Sequence, residues 1–519
     1  MKKNYQPTKR KIKLEPIKPK KRLESIKQKK KLEPIKNKSK YNMIIGNIKV
    51  DGNFFLTKRI INSCENALDE DCFDIKDRFG GRYIYNEKEI KKCEIYINDK
   101  KINFTYSYTF PKAGNYTIKY IFKTPLKATN FMFASCFAIT SLDLSNFNTE
   151  NVVQMSYMFA QCELLESINL KNFNTKNVID MNGMFAYCKS LKSLDLSNFN
   201  NENAKDISGM FLKCYNLKSI NLNKFNTKNV IKMDEMFKYC NSLTSLDLSD
   251  LNTQNVKGMF GMFIDYYSLK SLDLSEFQTQ NVDDMRLMFC GCHSLISLNL
   301  SNFNTKNVND MNRMFEECHS LKILNLSNFN NIKVKCMFSM FSKCYSLISL
   351  DLTNFKTENV KYMHNMFNDC ESLISLDLSN FNNQNVENMS NMFSNCKALI
   401  LLNLSSFNTQ KVENMEKMFY NCNSLTSLDI WNFNNKNLKK KYNIFDNCNS
   451  LIFKNIPKKL FTIQHSNENI LNEEEIFNIL NNNNNNNNNN HNNIDNIDNF
   501  DNNNNLDNDL NELMNFLAV

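Results

Sequence analysis

The chain is poor in several residue types, and each scarcity removes a class of function. Among 519 residues there are 10 Gly, 7 Pro, 5 His and one Trp. So few glycines spell out no phosphate-cradling loop. The histidines are scattered, and no nucleophile–base pair is suggested, so the chain is read as non-enzymatic, with no catalytic residue, cofactor or metal assigned. No stretch approaches the roughly 18 consecutive apolar residues of a membrane span. The N-terminus, MKKNYQPTKRKIKLEPIK, is charged and lacks the apolar h-region of a secretory signal. That predicts an intracellular protein, cytoplasmic or nuclear. Cysteine is not scarce, but without a signal peptide the 17 Cys are read as reduced, buried thiols rather than a disulfide framework.

Charge is present but unevenly placed. Residues 1–40 hold 17 Lys/Arg against 3 Glu, while 465–519 hold 10 Asp/Glu and no Lys/Arg. The basic arm, 1–40, repeats Leu14-Glu15-Pro16-Ile17-Lys18 at Leu23 and again at Leu32. Its prolines and self-repelling lysines oppose a stable helix. Clusters such as Lys18-Pro19-Lys20-Lys21-Arg22 fit nuclear import, or binding of nucleic acid or another polyanion without sequence readout. At the other end, 457–519 is read as a C-terminal cap followed by an acidic, Asn-rich disordered tail.

Between the tails two patterns appear. Within 41–125, Ile95 and Ile97, then Ile102, Phe104, Tyr106, Tyr108 and Phe110, then Tyr116, Ile118, Tyr120 and Phe122 alternate with period 2. This predicts a small β-rich, sandwich-like domain that caps the repeats after it. From 126 to 456 one unit recurs every 26 residues without insertion or deletion. Of 13 equivalent slots from Cys136 to Cys448, 12 are Cys and one is Tyr266. So strict a repeat predicts a solenoid whose turns bury their apolar faces only against each other.

Within one unit, Leu165, Ile168 and Leu170 give the LxxIxL frame of a short strand, followed by Phe173. Asn177 is placed to cap a helix, and Val178, Met181, Met184, Phe185 and Cys188 form one helical stripe. The expected fold is thus an α/β solenoid, a curved leucine-rich-repeat-like rod of about 12 strand–loop–short-helix rungs at roughly 4.8 Å strand spacing. The unit LxSLDLSxFNTxNVxxMxxMFxxC resembles the 26-residue repeat of BspA-like leucine-rich-repeat surface proteins. That resemblance implies a non-enzymatic solenoid, often displayed on the cell surface for adhesion or interaction.

The candidate partner-binding face is the row of strand residues pointing away from the core. Its middle slot is Asp or Asn throughout, including Asp143, Asp195, Asp247, Asp273, Asp351, Asp377 and Asp429. The row reads as strand-edge hydrogen bonding or as a polar groove for a repetitive or basic partner. Ile323 and Leu401, which replace Ser, and Trp431 break its uniformity and are the better places for selective contact. His293 and His319 on adjacent rungs, with Cys290 near them, have the side chains of a zinc site. Their slot elsewhere holds Phe137, Glu163, Lys189, Tyr215 and Asn241, so it is read as a solvent position. The leading function is a protein–protein interaction scaffold. A surface or secreted adhesin, and a nucleic-acid-associated protein using the arm, are the alternatives.

Overall fold

The computed structural model describes residues 42–52, 56–69, 83–434 and 436–451. The described residues all fall within one compact unit. The basic arm and the C-terminal cap and acidic tail assigned to 457–519 lie outside the described residues.

The alternating segments form β1 (Asn42–Val50), β2 (Thr57–Arg59), α1 (Cys64–Asp69), α2 (Glu87–Ile90), β3 (Glu94–Ile97), β4 (Lys100–Ile102), β5 (Ser107–Thr109) and β6 (Gly114–Phe122). The first rung contributes β7 (Ile139–Asn146) and the second β8 (Ser167–Asn169), and one sheet runs β4-β3-β6-β1-β7-β8. β1 lies antiparallel to both β6 and β7, whereas β7 and β8 are parallel. The first edge of the solenoid is therefore occupied by β1, which satisfies backbone groups that would otherwise recruit another strand. On a second face, Cys64 and Ala67 of α1 join Phe131, Tyr157, Ala134, Ala160 and Ala186. Small residues in that column leave room for the helix.

Most later rungs add a three-residue strand, the rungs at 245–247 and 375–377 being the exceptions among the described residues. Ser193–Asp195 pairs in register with Ser219–Asn221, and Ser271–Asp273 with Ser297–Asn299. The central Leu or Ile of each triplet points inward, as a period of two requires. A second ladder of single parallel bridges runs along another face, from Ala128 through Gln154, Asp180 and Asp206 to Lys440, one bridge per rung.

The solenoid stands, but its helical leg does not form. Val178, Met181, Met184, Phe185 and Cys188 are all fully buried, as the stripe implied. They lie on a run of tight turns instead. Gly183 and Tyr187 hold left-handed φ of 58° and 62°, which no α-helix admits. The amides then alternate in direction. Met184, Ala186 and Cys188 donate within the rung to Met181, Gly183 and Phe185. Met181, Gly183, Phe185 and Tyr187 donate to Asp206, Ser208, Met210 and Leu212 of the next rung, at 2.6–3.0 Å. A helix would keep all these bonds inside one rung, whereas here half of them tie rungs together. Asn177 accordingly caps nothing. Its Nδ2 donates to the Glu150 carbonyl of the preceding rung at 2.8 Å.

Two aromatic columns and one thiol column fill the core. Phe133, Phe159, Phe185 and Phe211 begin a continuous stack with centroid separations of 5.3–6.2 Å. Phe303 and Phe329, 6.3 Å apart, belong to the second column. The ladder cysteines are buried and free. From Cys162 on, each ladder thiol donates to a Phe carbonyl one turn back, Cys162 to Phe133 at 3.1 Å and Cys188 to Phe159 at 3.2 Å. Tyr266 is buried in the exceptional slot, and its hydroxyl has no hydrogen-bond partner.

Phe303→Ala should cost about 3–5 kcal/mol. Because rungs are coupled only to neighbours, urea unfolding followed by circular dichroism should split into two transitions, one for each side of the lesion. Burial pushes the Cys214 thiol up to about 12 and the Cys336 thiol up to about 11. Exposure rather than acidity separates the cysteines, so maleimide labelling of the native protein, mapped by mass spectrometry, should reach the half-buried Cys290 and Cys336 before any buried ladder thiol.

Candidate functional site

The stacking rule places every predicted face residue. Asp143, Asp195, Asp247, Asp273, Asp351, Asp377 and Asp429 stand in one column, most of them exposed. Their carboxylates already have work within the fold. The backbone N–H two residues on donates to each, as from Ser145 to Asp143 at 2.9 Å and from Ser197 to Asp195 at 3.0 Å. Asn fills the alternating slots usefully, since Asn169 and Asn221 donate Nδ2 to Asp143 and Asp195 of the preceding rung. Where two Asp are neighbours the local donors compensate. The Ser249 hydroxyl and amide hold Asp247 below the usual carboxylate range, and the Ser275 amide does the same for Asp273.

The second bridge column carries a different acidic row. Asp180, Asp206, Asp284 and Asp310 each accept the amide of residue i+2. In the rung where Gly258 takes this place no such acceptor exists. Asp234 of the preceding rung reaches over and accepts from the Phe260 amide at 2.9 Å. A Cβ on Gly258 would lie only 2.6 Å from Asp234 Oδ1, so the glycine and the borrowed carboxylate form a matched pair. Burial, with Asp284 and Asp206 adding, pushes Asp234 up to about 6.

The uniform columns are thus committed to structure, and the free chemistry lies where columns vary. Ile323 and Leu401 share the outward Ser column, half-buried and 58% exposed respectively, and Trp431 is 64% exposed. Beside that column runs one that the repeat pattern alone does not mark. Its early slots are Thr140, Glu166, Lys192, Lys218, Thr244 and Lys270. Its later slots are Ile296, Lys322, Ile348, Ile374 and Ile400. Ile296, Ile374 and Ile400 are 49%, 44% and 43% exposed. Neighbours in this column are bonded through the backbone, Ile400 N–H to the Ile374 carbonyl and Thr426 N–H to that of Ile400. The signal in the sequence is a change of residue class halfway along a column.

A third variable column brings Tyr267, His293, His319 and Tyr345 together as stacked rings. Among the described residues, His293, His319 and Glu317 form one group with metal-ligating atoms within 4.8 Å of one another. Nothing in the sequence singles out Glu317. Cys290, which the sequence does place near the histidines, has its Sγ 3.9 Å from Glu316 instead.

The parallel in-register strands, the LxxLxL frame and the buried Leu and Phe columns define a leucine-rich-repeat solenoid with turn legs in place of helices. The family model described as "Mycoplasma protein of unknown function, DUF285" matches overlapping segments at 127–245, 195–271, 213–324, 265–374 and 362–492, and the chain belongs to that family. Solved structures similar to it include a leucine-rich repeat protein from Bacteroides ovatus, with 19% identity over 66% of this chain and 83% of that one and a TM-score of 0.33. A leucine-rich cell surface protein from Faecalibacterium prausnitzii shows 13% identity over 67% and 85%, with a TM-score of 0.28. A leucine-rich repeat protein from Eubacterium ventriosum shows 15% identity over 61% and 78%, with a TM-score of 0.24. No curated protein matches the sequence. No helix among the described residues is long and apolar enough to cross a membrane.

The raised carboxyl of Asp234 has a signed consequence for stability. Its folded value of about 6 lies above the ordinary carboxylate value, so its contribution is most favourable in acid and is lost as pH rises through about 6. Asp234→Asn keeps an oxygen for Phe260 and removes the charge. Thermal melting should rise for this variant at about pH 7 and change little at about pH 4. Asp234→Ala strands the Phe260 N–H and should melt lower at both.

Proposed function

We propose that the solenoid is a non-enzymatic protein-interaction scaffold that docks its partner on the strand face of its C-terminal half. The carrying observation is the apolar stripe. Ile348, Ile374 and Ile400 stand on consecutive rungs, with Leu401 beside Ile400 and Trp431 beyond it. Soluble proteins keep large contiguous apolar surface mainly for partners. The same column in the N-terminal half is polar, and Glu166 and Lys192 are ion-paired there at 2.6 Å. Asp351, Asp377 and Asp429 flank the stripe. That combination fits a protein segment presenting apolar side chains next to basic ones. The likeness of the unit to BspA-like repeats supports a binding role of this kind.

The test uses the full chain as bait, followed by titration with the purified partner it captures. Ile400→Asp combined with Leu401→Asp, and separately Trp431→Ala, should each weaken binding at least about tenfold with an unchanged circular dichroism spectrum. A partner that tolerates these changes and is lost only on removing 1–40 would overturn the proposal and point to the basic arm.

A further inference from the structure

The column at Tyr267, His293, His319 and Tyr345 does something the other columns do not. The rings form a four-membered stack, with centroids 4.7 Å apart for Tyr267 and His293, 4.1 Å for the two histidines, and 4.8 Å for His319 and Tyr345. The two imidazole planes are within 12° of parallel. Register fixes this, because the histidines are equivalent residues of adjacent rungs. They are sandwiched between tyrosines, and each brings one ring nitrogen within 4.8 Å of the other's.

Glu317 supplies the third group. It precedes His319 by two residues and has a left-handed φ of 61°. Its Oε1 is held by Lys343 Nζ at 2.5 Å, while its Oε2 lies 3.6 Å from His293 Nε2. That separation is too long for a hydrogen bond. His293 Nε2 is nevertheless buried from solvent and has no hydrogen-bond partner. A buried, unpaired ring nitrogen facing a carboxylate is an unsatisfied arrangement, and it needs either a proton or another cation between the two.

We propose that His293, Glu317 and His319 bind a divalent transition-metal ion of the zinc type, with the outer coordination position open to water. Two imidazoles and one carboxylate are the ligand set of open zinc sites, and imidazole selects such ions over magnesium or calcium. The ligand atoms, within 4.8 Å of one another, need to close to about 3.3 Å for bonds of roughly 2.0–2.1 Å. Rotation of the half-exposed side chains provides that closure. Lys343 sits behind the carboxylate and fixes which oxygen faces the histidines, the orienting role that outer groups take at metal sites. A bound ion would cross-link two adjacent rungs near the middle of the solenoid. The site is independent of the apolar stripe and of the docking proposed there.

The test is Zn2+ binding to the full chain, stripped with chelator and kept reduced, by equilibrium dialysis and calorimetry. The expected result is one Zn2+ per chain that Mg2+ and Ca2+ do not displace. His293→Asn with His319→Asn should weaken it at least about a hundredfold, and Glu317→Gln by about ten- to a hundredfold. His465→Asn with His491→Asn should leave it unchanged. Co2+ in place of Zn2+ should give visible bands of a nitrogen–oxygen site without thiolate charge transfer. Independently of any variant, Zn2+ should protect His293 and His319 of the natural chain from diethyl pyrocarbonate. Absence of Zn2+ uptake, equal affinity in the double histidine variant, thiolate bands with Co2+, or no protection of these histidines would each overturn the proposal.

Discussion

The structure depends on the hydrogen bonds that run from one rung to the next. In every turn leg, alternate amides point along the stack, as from Met181, Gly183, Phe185 and Tyr187. Such bonds form only if equivalent residues lie over one another, and that demands rungs of equal length. A single inserted residue would break the register of its rung with the neighbouring rungs, so the unbroken 26-residue spacing keeps every rung bonded to the next. Side chains reinforce the same direction. Asn203 and Asn229 donate to the Lys176 and Glu202 carbonyls of the rung before, and thiols such as Cys214 to a Phe carbonyl. Where Asn is absent from its column, at Lys333 and Lys411, the ammonium donates to the Asn side chain one rung back. Gly258 and Asp234 show the same substitution of one partner for another.

Because backbone, core and Asn columns are all engaged by the fold, few positions per rung remain to carry individual chemistry. Those few are the outward Ser column, the slot before it, and the slot after the Cys. This explains how a monotonous chain holds local specificity. The apolar stripe and the Tyr–His–His–Tyr stack each occupy one such column over a few rungs. The corresponding slots elsewhere carry ion pairs such as Glu163 with Lys189 and Glu371 with Lys397. Exposed pairs of that kind add little stability, so these columns are free to change.

Much of this is legible in the residues. Period, strand positions, the β-rich start and the buried set follow from spacing alone, because burial is what the repeated apolar letters encode. The helical leg is misread because Met181, Met184, Phe185 and Cys188 have helical spacing whether the chain coils or turns. The discriminating letters stand between them. The two left-handed positions hold Gly183, Gly209, Gly261 and Gly291, and later Asn365, Asn391, Asn395 and Asn421, the residue types that tolerate that conformation. Tyr, Lys and Glu in other rungs hide the pattern, since inter-rung bonding overrides their local preference. Asn177 is misassigned for the same reason, its partner lying in a rung the local sequence does not contain. Glu317 is invisible because its relation to His293 arises only from stacking.

Register also sets the distance at which side chains of one column meet, independently of what they are. Opposite charges one rung apart pair, rings stack, and like carboxylates need an amide or an Asn between them. A single substitution therefore acquires a defined neighbour at once. His293 beside His319 is one such coincidence and Ile374 beside Ile400 another, and neither requires the fold to change. The fold thus separates stability, held by the invariant columns, from individual side-chain chemistry, carried one residue per rung in the variable ones. What distinguishes this chain from a featureless rod lies in its departures from its own repeat, among them Gly258, Tyr266, the adjacent His293 and His319, and Ile348, Ile374 and Ile400.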